Sequence, residues 1–217
     1  MGGPRISTPN VTSARVSDLE ASGLEDLAWV LARAFRDNPL NLAVIGGSKE
    51  RRVRSNRQGM RTTLAGALGR AMVLAAGSGS EPLAGGLVAL PPLQWPLPPP
   101  PLGLQLRTLI GQGLRVARRW GQIFHELGSL HPIRPHWYLA VVGVEPDVQG
   151  RGVGSELLHH FTRQVDADAQ PAYLETDRFE NVALYEHFGF DVESEIRVRG
   201  VPVWRMWRDA RSYPEQL

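Results

Sequence analysis

The stretch Trp137-Tyr-Leu-Ala-Val-Val-Gly-Val144, then Glu145-Pro-Asp-Val148, then Gln149-Gly-Arg-Gly-Val-Gly154, then Ser155-Glu-Leu-Leu-His-His-Phe161 decides how this chain is read. Its first eight residues are apolar, with aromatic and β-branched members, the composition of a buried strand. Pro146 halts that run, because proline has no N–H to give a sheet ladder. Val153, Leu157, Leu158 and Phe161 then recur at the spacing of one helical face. The glycines therefore lie between the end of a strand and the start of a helix. Backbone N–H groups in the first turn of a helix have no intrahelical partner, and a Ser, Thr, Asp or Asn cap normally satisfies one. Here the entry is glycine and the nearby charge is Arg151, a cation at the positive end of a helix dipole, which is unfavourable unless an anion joins it. Bare N–H groups, close backbone approach and one arginine together describe a phosphate cradle, with an ordinary glycine turn as the plainer alternative.

Composition bounds the rest. At 217 residues the chain is long enough for one domain with a real core. Its 42% apolar and 21% charged residues fit a soluble globular protein. A net charge of +2 gives no electrostatic case for nucleic acid. There is no cysteine, which excludes disulfides, a thiol acyl-enzyme and cysteine-ligated metal. The first residues lack the apolar core of a signal peptide, and arginine, glycine or proline interrupts each apolar run before membrane-spanning length. The expectation is a cytoplasmic enzyme or binding protein, with no membrane partner.

Residues 1–9 read as a loose tail and 10–217 as one domain. Val11–Val16 suggests a first strand. Ser17 with Glu20, and Ser22 with Glu25, match the capping-box spacing before a helical stripe that ends at Asp37-Asn38-Pro39. Lys49–Leu68 reads as a second, largely solvated helix. Ala71–Ala76 and Leu83–Leu90, separated by Gly-Ser-Gly-Ser, predict an antiparallel hairpin. Seven prolines between Pro91 and Pro101 form a stiff connector or, less simply, a polyproline ligand for a partner. Leu102–Leu130 looks helical, although Gly111, Gly113 and Gly121 argue against one unbroken helix. The region 91–131 thus reads as a proline-rich loop and helical insertion covering part of a site. Ala172–Thr176 predicts a strand, Asn181–Phe188 a short helix closed by Gly189, and Phe190–Val198 with Val201–Trp207 a final hairpin that could pair with a second copy. The expected class is mixed α+β with a central sheet.

Two familiar phosphate loops do not fit. A Walker loop needs a lysine where Gly154 stands before Ser155, and the dinucleotide fingerprint spaces its glycines differently and opens an N-terminal parallel unit. Instead, Val144-x-Pro146-x-x-Gln149-Gly150-x-Gly152-x-Gly154-x-x-Leu157 resembles the acetyl-CoA signature of GCN5-related N-acetyltransferases (GNATs). The later Asn181-Val-Ala-Leu-Tyr185-Glu-His-Phe188-Gly189-Phe190 resembles the second hallmark of that family, in the right order and separation. Pro135–Val192 is particularly similar to puromycin N-acetyltransferase-like members. Ser80–His131 resembles nothing specific.

The resemblance implies a mostly antiparallel twisted sheet with strands splayed at an acetyl-CoA site, and an amine attacking the thioester directly through a tetrahedral intermediate. It implies that the backbone of Val142, Gly143 and Val144 pairs with the pantetheine arm and polarises the thioester carbonyl. It places the pyrophosphate on the N–H groups of Gln149, Gly150, Arg151, Gly152, Val153, Gly154 and Ser155. Asn181 would bond the cofactor arm, or cap its helix. Tyr185 would protonate the departing thiolate, or pack its ring in the core. Glu175, at a strand end, is the preferred base for the amine, or else a surface carboxylate; Asp177 and His136 are weaker candidates. His125, His131 and His136 do not have metal-ligand spacing, so no metal is expected. Trp95 and Trp120 are candidates to line an acceptor pocket. The expected partner is a small-molecule amine, with the protein a monomer or homodimer. A non-catalytic acyl-CoA-binding module on the same fold is the alternative.

Overall fold

Seven strands, separated in sequence by helices, come together in one sheet of order β1-β2-β3-β4-β5-β7-β6 in the computed structural model, which describes residues 15–77 and 82–211. They are Arg15–Asp18 (β1), Met72–Gly77 (β2), Gly85–Leu90 (β3), Trp137–Val144 (β4), Ala172–Thr176 (β5), Asp191–Val198 (β6) and Val201–Arg208 (β7). Every neighbouring pair is antiparallel except β4 with β5. This is the mixed α+β class expected, in the GNAT arrangement. The tail at 1–9, the first residues of the first strand and the loop at 78–81 lie outside the described residues.

Helices cover both faces. Val153–Ala167 (α6) presents Leu157, Leu158, Phe161 and Val165 to one face, where Leu139, Leu174 and Met206 meet them. On the other face Leu24–Ala34 (α1) and Lys49–Ala67 (α3) bury Leu27, Leu31 and Leu64 against Val73 and Val88. Pro39–Val44 (α2) follows α1, and Leu102–Gln112 (α4) and Leu114–Ser129 (α5) form the helical insertion. Val182–His187 (α7) precedes the last hairpin, whose turn places Arg199 and Gly200 at positive φ. No helix of the described residues is long and apolar enough to cross a membrane.

Several local expectations change. Neither capping box forms: Ser17 sits in the β1–β2 ladder opposite Ala75, and α1 begins at Gly23 with no side-chain cap, led in by a short 3-10 turn at Ala21–Gly23. Burial of the Leu27 and Leu31 stripe, rather than a cap, fixes that helix. The helix α3 is less solvated than its arginines suggest. Arg52 is buried and its guanidinium donates to the Arg36 carbonyl at 2.7 Å and to Asp37 at 2.7 Å, while Asn56 donates to the Ala32 carbonyl. Asn38-Pro39 does not merely end a helix but starts α2, with proline in the first turn where its missing N–H costs nothing. Of Gly111, Gly113 and Gly121, only Gly113, at φ +86°, breaks the helix.

The strand that matters most is irregular. Opposite β3, Val141 faces Val88 and Leu139 faces Ala89, so Ala140 is an extra residue, a β-bulge. The parallel register with β5 also stops at Leu139 opposite Leu174. From Ala140 onward β4 therefore follows β3 and leaves β5, and the sheet forks.

Candidate active site

The fork is flanked by the two segments that the sequence singled out. After β4 the chain makes a 3-10 turn at Pro146–Val148 and enters α6 through the glycines. Gly150 has φ +76° and Gly152 φ +86°, a left-handed conformation that suits glycine and strains other residues. A Cβ built on either would meet nothing within 4 Å, so this backbone is open on its outer side. Gly152 is the N-cap of α6 and makes no side-chain cap bond. Gln149 donates from Nε2 to the Val144 carbonyl at 3.0 Å and ties the turn to the strand end. The donor-rich helix start that the sequence predicts is therefore present, uncapped and approachable, which fits a diphosphate.

Gly143 has a second reason to be glycine. A Cβ there would lie 2.9 Å from Leu31, 3.0 Å from Phe35 and 3.1 Å from Ala34, so α1 crosses β4 too closely for any side chain. Arg33 of α1 grips the strand end through Glu145, donating from Nε at 2.8 Å.

On the other limb, β5 leads through a 3-10 turn at Phe179–Asn181 into α7. Asn181 is the N-cap of α7 but makes no side-chain cap bond, which removes the capping explanation for it. Tyr185 is buried, and its ring packs edge-on to Phe190 at 6.2 Å between centroids. Burial, and secondly the carboxylate of Asp177, push its phenol above the usual range. Asp177 itself is occupied: it accepts from Asn38 Nδ2 at 3.1 Å and from the backbone N–H of Leu40 at 2.8 Å, capping α2 from across the fold. That explains its position.

Glu175, in β5, faces the α3 side of the sheet and contributes to the wall of a cavity of about 430 Å³. Burial raises its pKa; the phenols of Tyr138 and Tyr173 and the charge of Arg205 act in the opposite sense. Arg205 stands opposite Glu175 in the β5–β7 register and donates from Nε to the Tyr173 hydroxyl at 2.9 Å. Trp95, Leu97, Phe124, Leu127 and His131 are among the cavity's other walls; Trp120 is not, and packs instead with Phe124 and the core around α2 and β7. His136 does not face this space. Its Nδ1 lies 2.6 Å from the Arg134 carbonyl and its Nε2 3.2 Å from Nε2 of His131, and burial lowers its pKa, so it serves as a support rather than a base. Among the described residues no cluster of three or more His, Asp or Glu could hold a metal.

The sequence did not reveal Ala140, Tyr138, Tyr173 or Arg205. A bulge leaves no residue signature, and the other three are joined to Glu175 only by strand pairing.

A forked sheet with an uncapped glycine turn on one limb is the arrangement that the sequence led us to expect. Comparison with known proteins bears on the same stretch. Residues 112–192 match the model described as "Acetyltransferase (GNAT) domain". The chain is similar to an uncharacterised N-acetyltransferase of Schizosaccharomyces pombe, 38% identical over 60 residues (28% of this chain, 24% of that one), and to mycothiol acetyltransferase of Mycobacterium sp. strain JLS, 43% identical over 61 residues (25% and 20%). These matches thus span about a quarter or less of the relatives' length. Among solved structures, one described as histone acetyltransferase HPA2 and related acetyltransferase, from Corynebacterium glutamicum, has TM-score 0.71 at 22% identity, covering 94% of this chain and 99% of that one. The Thermoplasma acidophilum PaiA N-acetyltransferase, solved with coenzyme A, has TM-score 0.55 at 14% identity, covering 91% and 99%. The likeness to a GNAT acetyltransferase domain thus covers residues 112–192, and the whole-chain likeness to solved structures is one of fold.

Proposed function

We propose that this chain is an acetyl-CoA-dependent N-acetyltransferase that moves an acetyl group to a small-molecule amine by direct attack. The observation that carries the reading is the fork itself: a diphosphate-fitting helix start stands on one limb, and a cavity with one carboxyl group reaches the other. Bound in the fork, acetyl-CoA supplies an activated thioester. The N–H groups of Gly150, Arg151, Gly152, Val153, Gly154 and Ser155 hold its diphosphate, with the Arg151 side chain adding charge and Gln149 fixing the turn. The backbone of Val142, Gly143 and Val144 lines the arm, and Asn181 bonds it from the opposite limb.

Ala140 extends the role first given to Val142–Val144. As the residue outside both strand registers, it aims backbone polarity at the acyl carbonyl, where negative charge builds during attack. Glu175 takes the proton of the attacking amine, directly or through a water. Its raised pKa brings it nearer the value a base needs at neutral pH. Once the N–C bond has formed, the C–S bond breaks and Tyr185 gives its proton to the leaving sulfur. The nearby Asp177 carboxylate disfavours a phenolate, so Tyr185 takes a proton back from solvent while Glu175 releases the amine's proton to solvent, and both groups return to their starting state.

The similarity of Pro135–Val192 to puromycin N-acetyltransferase-like members puts puromycin on the panel of amines to try. The test is CoA release with acetyl-CoA and that panel, beside calorimetric binding of acetyl-CoA. Saturable CoA release with at least one amine is expected. Binding with no turnover on any amine would favour the non-catalytic acyl-CoA module, and failure to bind acetyl-CoA ends both readings.

A further inference from the structure

The cavity beside Glu175 is built mostly from the region that the sequence left unexplained, and its chemistry restricts what can enter. Trp95, Leu97, Phe124, Leu127 and Tyr138 make its walls apolar and aromatic. The indole of Trp95 lies flat on His131, with ring centroids 3.7 Å apart and planes 13° from parallel, and its edge rests against Gly128, where a Cβ would stand 3.5 Å from Cη2. That ring is therefore held in place before any ligand arrives, which lowers the ordering cost of stacking a flat group on it.

The polar inventory is short. Among the described residues no lysine or arginine lines the cavity, and Glu175 is the one formally charged group in its lining. His131 adds none at neutral pH, because burial, and secondly the neighbouring His136, push its pKa down to about 4. Thr62 is already engaged, donating to the Gln58 carbonyl at 3.0 Å and meeting Thr108 Oγ1 at 2.6 Å, and the Tyr138 phenol is turned to Glu175, which leaves the Thr63 hydroxyl. A carboxylate or phosphate on the acceptor would face Glu175 with no cation in the lining to receive it, and a polyhydroxylated body would lose more hydrogen bonds to water than the few hydroxyls of these walls replace.

From this we infer that the acceptor is a primary amine carried on a compact, flat, hydrophobic body without negative charge, stacked on Trp95 with its nitrogen toward Glu175. The volume of about 430 Å³ lies toward the small end of the ~300–1,000 Å³ typical of ligand sites, which suits such a body. The inference rests on the proposed transfer reading for the role of the cavity, but binding tests it separately.

The probes are 2-phenylethylamine, glutamate and glucosamine, titrated calorimetrically into the full chain saturated with CoA. Phenylethylamine is expected to bind at least ~10-fold more tightly than the other two, and Trp95→Ala to weaken it by ~10-fold with CoA affinity unchanged. Phe124→Arg, at a ring that is 67% exposed and so dispensable for folding, should erase the preference and improve glutamate binding. Equal binding of glutamate or glucosamine by the unaltered protein, no binding of phenylethylamine, or indifference to both substitutions would overturn the inference. CoA release is followed in the same samples. If every amine fails to release CoA, transfer falls, while the ranking of affinities still decides what the cavity accepts.

Discussion

The two sides of the fork are made of different material. On the proposed reading the donor side is backbone: N–H groups at Gly150–Ser155, a bulge at Ala140, and glycines whose conformation matters more than any side chain. The acceptor side is side chains: Trp95, Phe124, His131, Tyr138 and Glu175, drawn from four separate segments. A backbone site is contiguous in the chain and tolerates little drift, because each glycine conformation is strained for any other residue. A site walled by side chains can be rebuilt one residue at a time. The region matched to the family model, 112–192, holds the glycine turn together with Phe124, His131, Tyr138 and Glu175, while Trp95, in the proline run, lies outside it.

If the division holds, damage to one side should leave the other intact. The largest effect is expected at their meeting point. Tyr185→Phe should lower kcat by roughly 100–1,000-fold, as loss of a positioned acid does, with acetyl-CoA affinity retained in calorimetry. An unchanged rate would remove Tyr185 from the chemistry.

On the donor side, Gly152→Val forces a β-branched residue to φ +86° and crowds the helix start. Acetyl-CoA affinity should fall by about 30–100-fold while phenylethylamine titration is unaltered, an outcome read by calorimetry after circular dichroism confirms the fold. Equal loss of both ligands would erase the distinction between the sides.

On the acceptor side, Glu175→Gln should reduce kcat by about 10–100-fold and change the pH profile. Because the carboxyl pKa is raised above its ordinary 4.5, the unaltered enzyme should gain rate as pH climbs through a limb lying above the usual glutamate range. The variant should lose that limb. A limb that survives the substitution belongs to another group.

The smallest effect concerns stability. His131 binds a proton near 6.5 when unfolded and only at about 4 when folded. Its contribution is therefore fully present above about 6.5 and is lost as pH falls toward 4, since the unfolded chain then binds more protons. The effect should be on the order of 1 kcal/mol, or about 2–4 °C in Tm, after allowance for partial exposure. His131→Asn should flatten that part of the Tm-against-pH curve, as thermal melts between pH 4 and 7 can show.

The same contrast explains what could be read from the residues. Gln149–Gly154 was legible because helix-start chemistry is local, and the Asn181–Phe190 hallmark supplied its partner across the fork. Glu175 could be chosen as a strand-end carboxylate, but nothing in Ala172–Thr176 shows that Tyr138 and Arg205 flank it through strand pairing. The cavity was illegible for the same reason at longer range: Thr62 meets Thr108 across 46 residues, and Trp95 finds His131 only after α5 has doubled back. The misread capping boxes of Ser17 and Ser22 carry the complementary lesson. A correct local motif yields when a ladder position and a buried leucine stripe are worth more.

One extra residue, Ala140, has an effect larger than its size. In an uninterrupted strand the alternation begun by Trp137 and Leu139 on the α6 face would send Val141 and Gly143 there as well, and would press Val142 and Val144 into α1. With the surplus residue, Ala140 and Val141 share the α1 face, Val142 and Val144 join the α6 core, and Gly143 meets the helix that leaves it no room. A chain shortened by that one alanine would keep every later side chain on its present side while restoring an unbroken ladder. The opening in the sheet is thus a matter of parity, an odd count against an even one, and separable from the packing that surrounds it.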